Sequence, residues 1–146
     1  MQSITPNHRS DFLIRADLEE VAPFVADLIR WEEERQARKL ILIPSESYAP
    51  RAVRQALGSV FQNIYAEGYP PLRMTRAPEE RLRDVAWQLA FYRRYADRRF
   101  YKGVDYVHFV ECLAQRRCAQ LFAHGSIRPE HIHVNVQPLS GAAANL

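Results

Sequence analysis

The amino-acid sequence predicts a mostly helical chain with a few short extended segments, of a size for one globular domain. Three observations predict it. Apolar residues recur at threes and fours across 17–39, 78–100 and 104–122, two short β-prone runs stand between helical stretches, and a serine followed by glycine and alanines opens a last helix at Ser140. With 146 residues, 47% of them hydrophobic and 25% charged, the composition is that of a folded soluble protein and excludes a disordered one.

Residues 1–16 are polar and mixed and are expected to form an arm rather than core. Val21, Phe24, Val25, Leu28, Ile29 and Trp31 cluster toward one face of a helix over 17–39, with Pro23 either starting a second helix or kinking the first. Leu40-Ile41-Leu42-Ile43, closed by Pro44, suits a buried extended segment. Pro50 stands at a first helical position and Gly58 at a stop, with Ala52, Val53, Ala56 and Leu57 as the apolar face between them.

Residues 59–72 fit no single period and are read as an irregular, function-bearing segment. Leu82, Val85, Leu89 and Tyr92 mark the helix of 78–100. Val107, Val110, Leu113, Ala114, Cys118 and Leu121 mark the clearest helix, 104–122, ended by His124-Gly125. His131-Ile132-His133-Val134-Asn135-Val136 alternates and is a strand candidate, and Ser140 is placed to cap the helix that follows.

The net charge of +3 and pI near 9.1 come mostly from arginines at 73–99, too small an excess to argue for nucleic acid. Met1 to Phe12 carry no signal-peptide core, and no window approaches the roughly 18 apolar residues of a membrane span, so a cytoplasmic protein without a membrane partner is expected. Cys112 and Cys118 lack metal-ligand or redox spacing and are read as reduced structural thiols. His131 and His133 share a face of the strand candidate without a third ligand, and no metal site is assigned. His108 and His124 read as helix-face and helix-terminus residues.

Two places carry the types of group that chemistry needs. A strand leading into Ser140-Gly141-Ala142 would either direct unpaired N–H groups and the positive end of a helix at an anion or simply allow tight packing through its small residues. Glu67, within Tyr65-Ala66-Glu67-Gly68-Tyr69-Pro70, is a carboxylate between aromatics that either stays solvated, as most loop glutamates do, or is desolvated so that its pKa rises toward acid/base work.

Taken in order, Leu42-Ile43-Pro44-Ser45-Glu46-Ser47-Tyr48, Tyr65-Ala66-Glu67-Gly68-Tyr69-Pro70, Phe100-Tyr101-Lys102-Gly103, Val110-Glu111-Cys112-Leu113-Ala114 and Asn135-Val136-Gln137-Pro138-Leu139-Ser140-Gly141 closely resemble the N-terminal part of serine hydroxymethyltransferases. The likeness implies an incomplete N-terminal portion, over 17–146, of an α/β, fold-type I pyridoxal-phosphate-dependent transferase, with a helical insertion at 74–97. It also implies pyridoxal 5'-phosphate as cofactor, tetrahydrofolate as co-substrate, an amino acid as substrate and a homodimer. Ser45 would contact the substrate carboxylate, and Glu67 would mediate proton transfer at the reacting hydroxyl. Tyr65 would reach the partner's cofactor phosphate and Tyr101 its substrate, while Ser140, Gly141 and Ala142 would cup the phosphate.

The chain departs from that pattern in several places. Ala142 replaces a serine and removes a hydroxyl donor to phosphate, a hydrogen bond worth roughly 1.5–3 kcal/mol. Ser47 replaces an asparagine, and Phe100 and Lys102 alter the surroundings of Tyr101. The lysines are Lys39 and Lys102. Neither matches the Schiff-base lysine, so the resemblance implies a chain not competent alone, or a non-catalytic subunit that pairs with a full-length homologue.

Overall fold

A computed structural model describes residues 15–95 and 98–145; the arm expected at 1–16 falls almost wholly outside them. The chain divides into two compact units, Met1–Pro50 and Arg51–Leu146. Among the described residues there are helices and isolated bridges but no strand, so both strand expectations are corrected.

The first unit holds α1 (Leu18–Val21) and α2 (Pro23–Arg38). Pro23 occupies the first turn of α2, where its missing N–H deprives the helix of nothing, so it starts a helix rather than kinking one. The polar side of α2 is braced by Arg35 on Glu32 at 2.7 Å and Arg38 on Glu34 at 3.3 Å. Its apolar side buries only Ala26; Phe24 and Trp31 pack edge to face yet remain largely exposed. Leu40 to Ile43 form no strand, and Leu40 and Leu42 are 83% and 81% exposed. An extended run is stabilised by pairing with another strand, and no partner lies among the described residues. What closes this loop is Tyr48, whose hydroxyl donates to the Lys39 carbonyl at 3.0 Å, one of the acceptors a helix end leaves unpaired.

The second unit begins with α3 (Arg51–Leu57), which follows Pro50 and stops before Gly58 as the sequence predicts. After a 3₁₀ turn at Val60–Asn63 come α4 (Leu72–Arg76), α5 (Glu79–Leu82), α6 (Val85–Tyr95) and α7 (Val107–Phe122). A second 3₁₀ turn, Pro129–His131, and the short α8 (Gly141–Ala144) complete it. The helix expected over 78–100 is interrupted because Asp84 restarts it: its carboxylate accepts from the Trp87 N–H at 3.2 Å, as an N-cap does. His131 ends the 3₁₀ turn and the residues after it are irregular, so His131 and His133 share no strand face.

The core of this unit is Met74, Leu82 and Cys112, with Phe109 and Leu113 against them; Leu89, Tyr92, Val104 and Ala119 are buried beside it. The face that α7 buries is not the apolar stripe that periodicity predicts. His108, Glu111, Cys112 and Ala119 face inward, whereas Val110 and Leu121 are exposed. Both stripes obey helical spacing; the inward one is selected because its polar members find partners inside.

Candidate functional site

The loop between the first 3₁₀ turn and α4 meets residues 98–100 in a short antiparallel pairing, an isolated bridge between Gly68 and Arg99. Tyr69 N–H donates to the Arg98 carbonyl at 2.8 Å, and Phe100 N–H to the Glu67 carbonyl at 3.2 Å. Gly68 adopts φ +93°, and a Cβ there would stand 1.9 Å from the Arg98 carbonyl oxygen. Only glycine permits this approach. Arg98, the residue just before the bridge partner Arg99, also has a positive φ, 57°.

Behind this pairing lies a buried polar network. The Arg99 guanidinium, 1% exposed, meets the Glu111 carboxylate at 2.6 Å. Its Nη1 donates to the carbonyls of Ala66 at 2.5 Å and Gly68 at 2.9 Å, and its Nε to His108 Nδ1 at 3.3 Å. Gln137 Nε2 donates to the other Glu111 oxygen at 2.8 Å and to the Gly68 carbonyl at 2.7 Å. Because Nδ1 of His108 accepts, the neutral ring carries its proton on Nε2. Burial, aided by the Arg99 charge and opposed by Asp105, pushes the His108 pKa down to about 4.

The Ala66 and Gly68 carbonyls flank Glu67, so both neighbours of that residue are fixed while its own side chain stays exposed. Of the two readings the sequence leaves open for Glu67, solvated or desolvated between aromatics, the structure shows the solvated one. Tyr65 and Tyr101 are brought together as a pair, ring centroids 6.3 Å apart and tilted 44°, both largely exposed. Ser45 lies in the first unit, exposed in a turn after Pro44.

Ser140 caps α8: its Oγ accepts from the Ala143 N–H at 3.2 Å. That leaves its hydroxyl proton for another acceptor. The N–H groups of Gly141 and Ala142 make no hydrogen bond among the described residues. Backbone and hydroxyl donors converging on an exposed helix start suit a phosphate.

Sequence reasoning assigned no role to Arg99, Glu111, Gln137 or His108. The available signal was a glutamate and a histidine one turn apart in an apolar helix, which a buried partner alone explains. A separate groove of about 740 Å³ opens between α4, α7 and the second 3₁₀ turn, lined in part by Arg76, Cys112, Arg116 and His133. It includes none of the candidate residues. Burial, with the Glu111 charge beside it, pushes the Cys112 thiol up to about 12. Among the described residues no cluster of metal-ligand side chains occurs, and no helix is long and apolar enough to cross a membrane.

A family model described as serine hydroxymethyltransferase matches residues 18–93 and 85–146, and the chain belongs to that family. It is 42% identical over 129 residues to a serine hydroxymethyltransferase of Sorangium cellulosum, covering 88% of this chain and 23% of that protein. Over 124 residues it is 39% identical to one of Acidothermus cellulolyticus, covering 85% and 21%. A third, of Kocuria rhizophila, is 41% identical over 128 residues, covering 88% and 22%. The chain thus spans about a fifth of the length of these relatives. No solved structure matches it.

Proposed function

We propose that these residues are the N-terminal portion of a cytoplasmic, fold-type I α/β enzyme dependent on pyridoxal phosphate, exchanging one carbon between serine and tetrahydrofolate to give glycine. The observation that carries this reading is the loop at 65–68, where an exposed Glu67 stands on a backbone pinned at both neighbours and beside the Tyr65–Tyr101 pair. Family membership supports it. Within it, Glu67 takes and returns a proton at the reacting hydroxyl, and Ser45 orients the substrate carboxylate. Tyr65 and Tyr101, their rings exposed, extend into the site of a second subunit in a homodimer.

Ser140, Gly141 and Ala142 would hold the cofactor phosphate through one hydroxyl and backbone N–H groups. When bound, the cofactor supplies the electron sink for the bond changes at the substrate. Neither Lys39 nor Lys102 stands where the family attaches it, so these 146 residues are not expected to turn over alone. Residues 74–97 are read as a helical insertion relative to the family.

The test is the intact mass and activity of the native product. A product well above 17.0 kDa that forms glycine from serine with tetrahydrofolate, and loses about 10²–10⁴-fold in rate on Glu67→Gln, supports the enzyme. A product near 17.0 kDa that co-purifies with a larger homologue supports a non-catalytic pairing subunit instead. The exposed apolar side of α2, with Phe24, Leu28, Ile29 and Trp31 uncovered, is what favours that second reading.

A further inference from the structure

We propose that Arg99 is the positioning residue of the Glu67 loop, acting through its paired contacts to the Ala66 and Gly68 carbonyls, with Glu111 and Gln137 holding it in place. The proposal rests on Glu67 being the acid/base group of the reading above. Arg99 places four N–H bonds: two on the carbonyls flanking Glu67, one on His108 and one on Glu111. Nη1 alone brackets Glu67 with its two N–H groups, while Nε and Nη2 of the same plane are held by His108 and Glu111; a lysine ammonium on a flexible stem cannot reproduce all four contacts from one rigid plane. The residue so bracketed has its own carbonyl bonded to Phe100 N–H, and Tyr101 follows directly. One side chain therefore sets the mutual register of Tyr65, Glu67 and Tyr101 without touching any of their side chains.

A purely structural ion pair behaves differently. Buried pairs replaced together by apolar residues of similar size often leave a protein as stable as before. If Arg99 served only to neutralise Glu111, a double apolar replacement would restore everything that either single replacement loses. If it positions the loop, stability returns and loop order does not.

The experiment compares the full chain with its Arg99→Met, Glu111→Met and double Arg99→Met/Glu111→Met variants by thermal unfolding. Loop order is read as amide hydrogen exchange at Tyr69 and Phe100 and as cleavage after Glu67 by a glutamate-specific protease. The expected result is a double variant that recovers most of the melting temperature lost by the singles, while exchange and cleavage stay faster than wild type by about tenfold or more. Recovery of stability together with wild-type exchange and cleavage overturns the proposal. Should the double variant fail to fold, Arg99→Lys keeps the charge opposite Glu111 and decides: faster exchange at both amides supports positioning, and unchanged exchange overturns it. Failure of the enzymatic reading is separable, because it appears as full activity of Glu67→Gln in the native product and leaves these exchange rates untouched.

Discussion

Arg99 and Glu111 form a salt bridge at 2.6 Å in which the side chains are 1% and 9% exposed, bridging the residue before Phe100 to the middle of α7. Removing one member of such a pair leaves an uncompensated charge in the interior. Either Arg99→Met or Glu111→Met alone is expected to destabilise the chain by about 3–5 kcal/mol in urea unfolding. A loss below about 1 kcal/mol would mean that the pair is solvated in solution.

Gly68 and Gly103 both have positive φ, +93° and +81°, but only at Gly68 would a Cβ strike backbone; at Gly103 nothing lies within 4 Å. Gly103→Ala should therefore lose only the conformational penalty of about 1–2 kcal/mol. Gly68→Ala should lose distinctly more and open the pairing with Arg99. Equal shifts in melting temperature for the two variants would contradict the close approach.

His108 is neutral when buried, with its pKa lowered from 6.5 to about 4. Between those values the unfolded chain binds a proton that the folded chain does not, so stability is full above pH 6.5 and falls as pH drops toward 4. The loss from this residue amounts to about 3 kcal/mol across that window. Melting temperature measured against pH in wild type and His108→Gln should show a shallower slope between pH 6.5 and 4 in the variant. Parallel profiles would place the acid sensitivity elsewhere.

Cys112 is buried in the core with its thiol pushed up to about 12, whereas Cys118, one and a half turns on, is partly exposed. The thiolate is the reactive form. Alkylation of the native chain near pH 8, followed by mass mapping, should modify Cys118 well before Cys112, and prior denaturation should abolish the difference. Simultaneous labelling under native conditions would show that the core around Met74 and Leu82 opens readily.

The parts of the fold legible in the sequence are those decided locally. Pro23 at the start of α2, Pro50 and Gly58 around α3, and Ser140 as the cap of α8 follow from the chemistry of single residues at helix ends. The two strand expectations failed because a strand requires another strand, and Leu40 to Ile43 and His131 to Val136 find none among the described residues. Of the candidate site, Tyr65 and Tyr101 could each be named from the sequence, but the 6.3 Å approach of their rings joins two distant segments and has no local signal. The Arg99 network was illegible because its members come from four separated segments, and because an apolar stripe on α7 competed with the polar one that is buried.

The hydrogen bond from Gln137 to the Gly68 carbonyl joins residues 69 apart in sequence, with α4 to α7 enclosed between them. Contacts of such separation carry a large closure entropy and form after local structure is in place. The Glu67 loop and the Ser140 helix start are therefore expected to come into register late in folding. For the same reason they would be among the first regions to part when the chain loosens, well before the helices themselves melt.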